Sequence, residues 1–144
     1  MAPEAAAEFS LPLRVYIEDT DAGGIVYYVN YLKYMERART EFMRELGMGR
    51  LAIFSEELMF VVSSVSVNYS MPARLDDEVS ATAQLLKVGG ASMELSQRVL
   101  RGADVLVEAT VSLACVSPES LAPRRIPKAM LDTLRAALGN TSSA

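Results

Sequence analysis

Four consecutive segments in the second half of the chain alternate apolar and polar residues, and this alternation constrains the fold more than any other feature. The segments are 61–69, 79–85, 93–99 and 105–115, and in each the odd-numbered positions are mostly apolar. A period of two predicts β-strands with one buried face. Glycine-containing turns at 89–90 and 102–104 separate the later strands, so we expect neighbouring strands to form antiparallel hairpins.

A long amphipathic helix is predicted before these strands, from about Asn30 to Leu46. Its apolar residues recur every three or four positions: Tyr31, Tyr34, Met35, Ala38, Phe42 and Leu46. We expect Asn30 to be the N-cap of this helix. Gly47 is the expected residue just beyond its C-terminal end.

The rest of the chain supplies a first strand, a last helix and two tails. Leu11 to Ile17 is predicted as a strand and Lys128 to Leu138 as a short helix. Residues 1–10 and 139–144 are expected to be flexible tails on a single domain of residues 11–138. One long helix and about five antiparallel strands predict an α+β fold whose long, curved sheet wraps around the helix.

The composition excludes several kinds of function. The 144 residues hold 14 Lys and Arg against 18 Asp and Glu, a formal charge of −4, which disfavours nucleic acid as the partner. Histidine is absent, which excludes Ser-His-Asp and Cys-His catalysis and His-ligated zinc. A carboxylate is therefore the expected general base, ahead of Lys or Tyr. We expect neither a metal nor a cofactor.

The sequence also bears on the location of the protein. One cysteine cannot form a disulfide within the chain, which suits a reducing compartment. The first residues show no basic start followed by an apolar run, so no secretory signal is expected. No stretch of 18 apolar residues is present that would span a membrane. These features favour a cytoplasmic protein.

Residues 14–41 carry the most specific motif. They read RVYIEDTDAGGIVYYVNYLKYMERARTE, which contains Asp-x-Asp-x-x-Gly-Ile-Val-Tyr and then Glu-Arg-Ala-Arg-Thr-Glu. This segment resembles the hotdog-fold acyl-CoA thioesterases, and within them the Tol-Pal system-associated branch of the 4-hydroxybenzoyl-CoA thioesterase group. The resemblance continues through 61–77 and 115–124. It implies a hotdog fold and the hydrolysis of acyl-CoA thioesters.

The resemblance also implies a catalytic pair. In that family the second Asp of the motif is the catalytic carboxylate, and the backbone N–H seven residues later polarises the thioester carbonyl. Carried over, these are Asp21 and the N–H of Tyr28. A helix N-terminus suits a developing oxyanion, and Gly23 and Gly24 are expected to let the chain bend back towards it. Whether Asp21 attacks the carbonyl or deprotonates water stays open.

Two departures from the family affect these expectations. Many members of the Tol-Pal-associated branch have His at the position of Tyr28 and Tyr at that of Ile17, so neither assisting side chain is present here. The 4-hydroxybenzoyl branch has a basic cluster where this chain has residues 89–91. Contacts to the phosphates of CoA must then come from elsewhere, and the candidates are Arg74, Lys87, Arg124 and Arg125.

Other interpretations of these residues stay open. Asp21 could simply stabilise a turn, as Asp often does. Glu36 and Glu41 are reserve carboxylates, because another hotdog branch places its catalytic carboxylate on this helix. Cys115 has the parity of the buried face of its strand, so an inert thiol is expected.

The alternative function is a non-catalytic module that binds acyl-CoA or an acyl carrier protein and is associated with envelope or lipid-synthesis proteins. Under either function, acyl-CoA is an expected partner and acyl carrier protein a further candidate. Hotdog monomers usually pair so that two sites form at their shared interface. The resemblance therefore implies a homotetramer built as a dimer of dimers, with a dimer as the simpler possibility.

Overall fold

The alternating segments form one antiparallel sheet of five strands. In the computed structural model, which describes residues 7–48, 55 and 57–139, the strands are β1 (Phe9–Arg14), β2 (Met59–Tyr69), β3 (Glu78–Val88), β4 (Ser92–Arg101) and β5 (Asp104–Val116). Their order across the sheet is β1-β3-β4-β5-β2. The predicted α+β fold with about five strands is thus confirmed, and so are the hairpins that join β3 to β4 and β4 to β5.

Within the described residues, two helices accompany the sheet, α1 (Val29–Glu45) and α2 (Lys128–Ala137). The predicted apolar stripe of α1 is the buried one: Tyr31, Tyr34, Met35, Ala38 and Phe42 are all buried. This stripe packs mainly against β1, β3 and β4. Gly47 follows α1 with a φ of 81°, and its N–H donates to the carbonyl of Arg44 at 2.9 Å, as expected for a glycine that ends a helix.

The sequence-based boundaries are wrong at the start of the chain. β1 ends at Arg14, three residues before the predicted end, and Ile17–Asp19 form a single 3-10 turn. The carboxylate of Asp19 accepts a hydrogen bond from the N–H of Tyr16 at 2.9 Å, which favours the turn over an extended strand. Ile17 is 77% exposed and gains no burial that would oppose the turn.

The position of β2 is the second correction. We expected β2 to form a hairpin with β3, its neighbour in sequence, but β2 pairs with β5 and forms one edge of the sheet. A register shift between Val62 and Ser64 moves Val62 to the face that carries Val65. Both valines line a groove that faces α1, and they are almost half exposed because α1 packs mainly against β1, β3 and β4.

Phe9 and Ser10 belong to β1 and pair with Ala83 and Thr82, so the predicted tail of residues 1–10 extends two residues too far. Residues 1–6 and 140–144 lie outside the described residues, and the flexibility of these parts of the tails stays a prediction. No helix in the described part of the chain combines the length and the apolar character needed to cross a membrane.

A buried amide fastens α1 to the sheet. Gln97, fully buried in β4, donates to the carbonyls of Met35 and Thr82, both at 2.9 Å, and accepts from the guanidinium of Arg39 at 2.9 Å. Burial lowers the pKa of Arg39, and the nearby Glu36 carboxylate opposes that change. Gln97 therefore satisfies three polar groups at the contact between helix and sheet.

We expect Gln97→Leu to lower the free energy of unfolding by about 2–3 kcal/mol, because it removes three hydrogen bonds of a buried amide, including the one that the Arg39 guanidinium donates to Gln97. Urea denaturation measures the effect, with Thr110→Val on the exposed face of β5 as the control. The control should change stability by less than about 0.5 kcal/mol. Equal losses in the two variants would contradict the role given to Gln97.

Candidate active site

A short β-ribbon carries Asp21 in front of the helix α1. Three antiparallel residue pairs form the ribbon: Asp19–Tyr27 (N–H of Tyr27 to carbonyl of Asp19, 3.0 Å), Thr20–Val26 (a β-bridge) and Asp21–Ile25 (N–H of Asp21 to carbonyl of Ile25, 2.9 Å). Asp21 therefore lies near the tip of the ribbon, and Tyr28 follows directly after its base. This ribbon is the local structure that connects Asp21 to the start of α1.

The two glycines at the tip of the ribbon have different roles. Gly24 has a φ of 77°, a left-handed conformation that side chains rarely adopt, so the expectation is confirmed for this residue. Gly23 has no such angle, and a Cβ there would meet the Oδ1 atom of Asp21 at 3.4 Å, an ordinary contact. Backbone conformation therefore demands glycine at 24 and not at 23.

The carboxylate of Asp21 is exposed and only partly occupied. Its Oδ1 atom accepts a hydrogen bond from the N–H of Gly23 at 2.8 Å, which is the turn-stabilising contact that we considered for an Asp at this position. The Oδ2 atom has no hydrogen-bond partner among the described residues. One oxygen thus holds the turn, and the other is available to a ligand.

The N–H of Tyr28, at the start of α1, is also available. Tyr28 occupies the N-cap position with helical backbone angles, so the predicted cap at Asn30 is wrong: Asn30 lies within the first turn. The N–H of Asn30 donates to the carbonyl of Tyr27 at 2.8 Å, whereas that of Tyr28 has no acceptor within the described residues. An unpaired N–H at the positive end of a helix dipole can bind a partly negative oxygen.

A pocket of about 240 Å³ opens beside Tyr28. Its lining is Val26, Tyr28, Tyr31, Tyr69, Ser70, Met71 and Pro72. The Tyr69 ring centroid lies 6.1 Å from that of Tyr28, edge to face, and 5.7 Å from that of Tyr31. Burial, together with the two neighbouring tyrosines, raises the pKa of Tyr69. The sequence identified Tyr69 only as a strand residue, and its place in this pocket follows from the pairing of β2 with β5.

Arg74 is the one proposed coenzyme contact that lies next to the ribbon. It forms a β-bridge with Ile25, and the N–H of Leu75 donates to the carbonyl of Gly24 at 3.0 Å. The carboxylate of Asp77 accepts from the N–H of Arg74 at 2.9 Å and from the Arg101 guanidinium at 2.8 Å. Burial acts to raise the pKa of Asp77, but these two donors outweigh it and hold the pKa below its usual value.

The other three basic candidates lie at the opposite end of the sheet. Lys87 is close to the end of β3, whose 11 residues span roughly 35 Å from the segment that contains Arg74. The guanidinium of Arg125 lies 3.7 Å from where a Cβ on Gly90 would be, and the N–H of Arg124 donates to the carbonyl of Cys115 at 2.9 Å. Within one chain, these three residues do not meet Asp21.

The remaining candidates have structural surroundings. Glu41 forms an ion pair with Arg44 along α1, as expected for a carboxylate on a helix surface. Glu36 lines an apolar groove of about 320 Å³ between α1 and β2. Cys115 is fully buried, as predicted, and burial raises the pKa of its thiol, which favours an inert thiol.

Comparison with known proteins decides the family. Residues 23–108 match the Thioesterase superfamily. The chain belongs to the thioesterase superfamily. It is 40% identical over 124 residues to the acyl-CoA thioester hydrolase YbgC of Escherichia coli, a match that covers 85% of this chain and 92% of that protein. It is 42% identical over 121 residues to the acyl-CoA thioesterase YbgC of Haemophilus influenzae, with 83% and 89% covered.

Solved thioesterase structures share the fold. A probable thioesterase from Bartonella henselae superposes with a TM-score of 0.78 at 35% identity, covering 84% of this chain and 100% of that chain. The gentisyl-coenzyme A thioesterase BH1999 gives a TM-score of 0.77 at 25% identity, covering 84% and 98%. The predicted hotdog thioesterase fold is confirmed, and the Tol-Pal-associated branch stays a prediction.

The two ribbon glycines allow a matched test of the backbone geometry. We expect Gly24→Ala to lower the free energy of unfolding by about 1–2 kcal/mol, because the left-handed conformation is strained for any residue with a Cβ. Gly23→Ala should be neutral or slightly stabilising. Urea denaturation of both variants measures the difference, and losses of equal size would show that the ribbon does not have this conformation.

Proposed function

We propose that this protein hydrolyses acyl-CoA thioesters to a free acid and CoA, with Asp21 and the N–H of Tyr28 acting on the thioester group. One observation carries the proposal: a carboxylate oxygen and a helix N–H, both without a partner among the described residues, belong to the two ends of one ribbon, and a pocket lined by Tyr28, though not by Asp21, opens beside the N–H. The relatives named as acyl-CoA thioester hydrolases support the choice of substrate.

The chemistry follows from where charge develops. As the thioester carbon is attacked, its carbonyl oxygen becomes negative, and the N–H of Tyr28 at the positive end of α1 stabilises that oxygen. Asp21 either attacks the carbon directly, which releases CoA as a thiolate and leaves a mixed anhydride that water hydrolyses to the free acid, or removes a proton from a water that attacks the carbon and displaces the CoA thiolate. Both routes need the same arrangement, with the carboxylate on one side of the carbonyl and the N–H at its oxygen.

A second copy of the chain completes the site in this proposal. β2 is an edge strand, and an exposed edge with apolar residues is suited to pairing with another strand. Val62 and Val65, 48% and 43% exposed, would be covered when two copies join along β2, together with the groove between α1 and β2. We propose a homotetramer formed from two such dimers.

Pairing along β2 also relates the coenzyme candidates to the thioester site. Tyr69, at the end of β2, lies beside Tyr28, whereas the turn between β3 and β4 is at the other end of the sheet. Antiparallel pairing of two β2 strands would bring that turn of the second copy to the Tyr28 end of the first. Lys87, Arg124 and Arg125 would then supply positive charge for the phosphates, with Arg74 of the first copy.

The proposed location is the cytoplasm. The chain has a single cysteine, which is fully buried, and it therefore suits a reducing compartment. Acyl carrier protein is a further candidate for the group that delivers the acyl chain, because it presents the same thioester chemistry.

Asp21→Asn tests the enzyme assignment. We expect kcat to fall by about 10²- to 10⁴-fold, because the amide is neither a base nor a good nucleophile. Release of CoA is followed with a thiol reagent over a panel of acyl-CoAs from short aliphatic to aromatic. Glu18→Gln, at an exposed carboxylate in the adjacent 3-10 turn, is the matched control and should keep wild-type turnover.

Wild-type turnover in a folded Asp21→Asn protein would show that the catalytic carboxylate lies elsewhere. Tight binding by the unmodified protein without hydrolysis of any panel member would favour the non-catalytic module instead.

The proposed assembly is tested by light scattering at micromolar concentration. We expect the mass of a tetramer for the unmodified chain. Val65→Lys should shift it towards smaller species, because a charge would be buried at the β2 edge. A monomeric unmodified protein would contradict the shared site.

A further inference from the structure

We propose that Asn30 is a positioning residue for the hydrolysis, one that holds the ribbon of Asp21 in register with the first turn of α1. This inference rests on the proposed function of Asp21 and Tyr28. The side chain of Asn30 is 9% exposed, and its Nδ2 atom donates to the carbonyl of Asp19 at 2.8 Å. It thereby joins the helix that holds one reacting group to the ribbon that holds the other.

The carbonyl of Asp19 is the point where the ribbon and the helix meet. It accepts two hydrogen bonds, one from the N–H of Tyr27 within the ribbon and one from Asn30 on the helix. The carboxylate of the same residue accepts from the N–H of Tyr16, which fixes the chain as it enters the ribbon. Asp19 is thus held at its carbonyl and at its carboxylate, and Asn30 supplies the hydrogen bond from α1 to the carbonyl. Tyr34, a second residue of α1, is also close to Asp19: burial and then the Asp19 carboxylate raise the pKa of its hydroxyl.

The bond of Asn30 is directed away from its own helix. An N-cap side chain accepts a hydrogen bond from the N–H groups of the first turn, whereas Asn30 donates outward, and its backbone N–H bonds to Tyr27 independently. Loss of the side chain would therefore leave the backbone hydrogen bonds of α1 in place. What it would remove is a constraint on the ribbon.

Besides the direct bonds from Asn30 to Asp19 and Tyr27, a further connection between helix and ribbon is indirect. The hydroxyl of Tyr31 accepts from the N–H of Ala73 at 2.8 Å, and the carbonyl of Ala73 accepts from the N–H of Val26. This route keeps the ribbon close to α1 but passes through another segment. Without Asn30 the ribbon would keep its place and lose its register, so the Asp21 carboxylate would shift relative to the Tyr28 N–H.

The mutation that tests this inference is Asn30→Leu, which keeps a similar volume and removes the donor. We expect kcat to fall by about 10- to 100-fold, because a displacement of about 1 Å between reacting groups costs that much. KM should stay within about threefold, because no contact to the substrate is removed. Hydrogen exchange at the N–H of Tyr27 should become faster, since that bond shares the carbonyl of Asp19.

Gln97→Leu is the matched control. This variant also loses a buried amide that donates from one element to a backbone carbonyl of another. The amide of Gln97 contacts the middle of α1, at Met35, and lies away from the ribbon. The kcat of this variant, measured per folded molecule at a temperature well below unfolding, should stay within about twofold of wild type. A fall in kcat common to both variants would mean general destabilisation and would overturn the inference.

Asn30→Asp is the second test variant, for use if Asn30→Leu does not fold. It keeps the shape of the side chain and replaces the donor with an acceptor. A kcat within twofold of wild type in any folded Asn30 variant that lacks the donor would overturn the positioning role. If that result accompanied an inactive Asp21→Asn protein, the proposed function would stand and only this inference would fall. An active Asp21→Asn protein would refute the proposed function itself.

Discussion

The start of α1 is the constraint on which the rest of the structure depends. The helix dipole and the N–H of Tyr28, which has no acceptor within the described residues, give this point a partial positive charge, and the chain folds a short ribbon immediately in front of it. The ribbon lies there because its carbonyl at Asp19 is bonded from the helix side as well as from within. Asp21 lies near the tip of this ribbon and the helix begins directly after its base, so the backbone relates the two without any histidine.

The rest of the fold supports this junction. α1 keeps its place because its apolar stripe is buried on β1, β3 and β4, and because Gln97 ties its middle to the sheet. The same packing leaves β5 and β2 less covered, so an apolar groove runs along the free side of the helix. Because one side of α1 packs on the sheet, the other side is left open to a ligand or a second chain.

Sequence periodicity predicted the elements well and their arrangement less well. The period of two found β2 to β5, and the 3.6-residue period found the buried face of α1, because burial of one face imposes both patterns. Periodicity carries no information on strand order, which is why β2 was expected beside β3. The predicted end of β1 was wrong because the Asp19 carboxylate accepts a hydrogen bond from the N–H of Tyr16, and this contact favours a turn over a longer strand.

The candidate site was predictable only where a motif carried it. Asp21 and Tyr28 were identified by the resemblance, but their relation through a ribbon required the backbone hydrogen bonds. Asn30 was expected to cap its helix, since Asn favours that position, and its bond to a residue 11 positions away could not be read from local preference. Tyr69 lines the pocket at the end of β2, and β2 pairs with β5, a strand distant in sequence. No local pattern predicts that pairing.

The most direct test is a crystal structure with a thioether analogue of an acyl-CoA. In this analogue a methylene group separates the sulfur from the carbonyl, so the bond to sulfur cannot be hydrolysed. We predict that the carbonyl oxygen accepts a hydrogen bond from the N–H of Tyr28, at about 3 Å between nitrogen and oxygen. The Asp21 carboxylate should face the carbonyl carbon. A carbonyl bound elsewhere, with Tyr28 and Asp21 both in contact with solvent, would contradict this prediction.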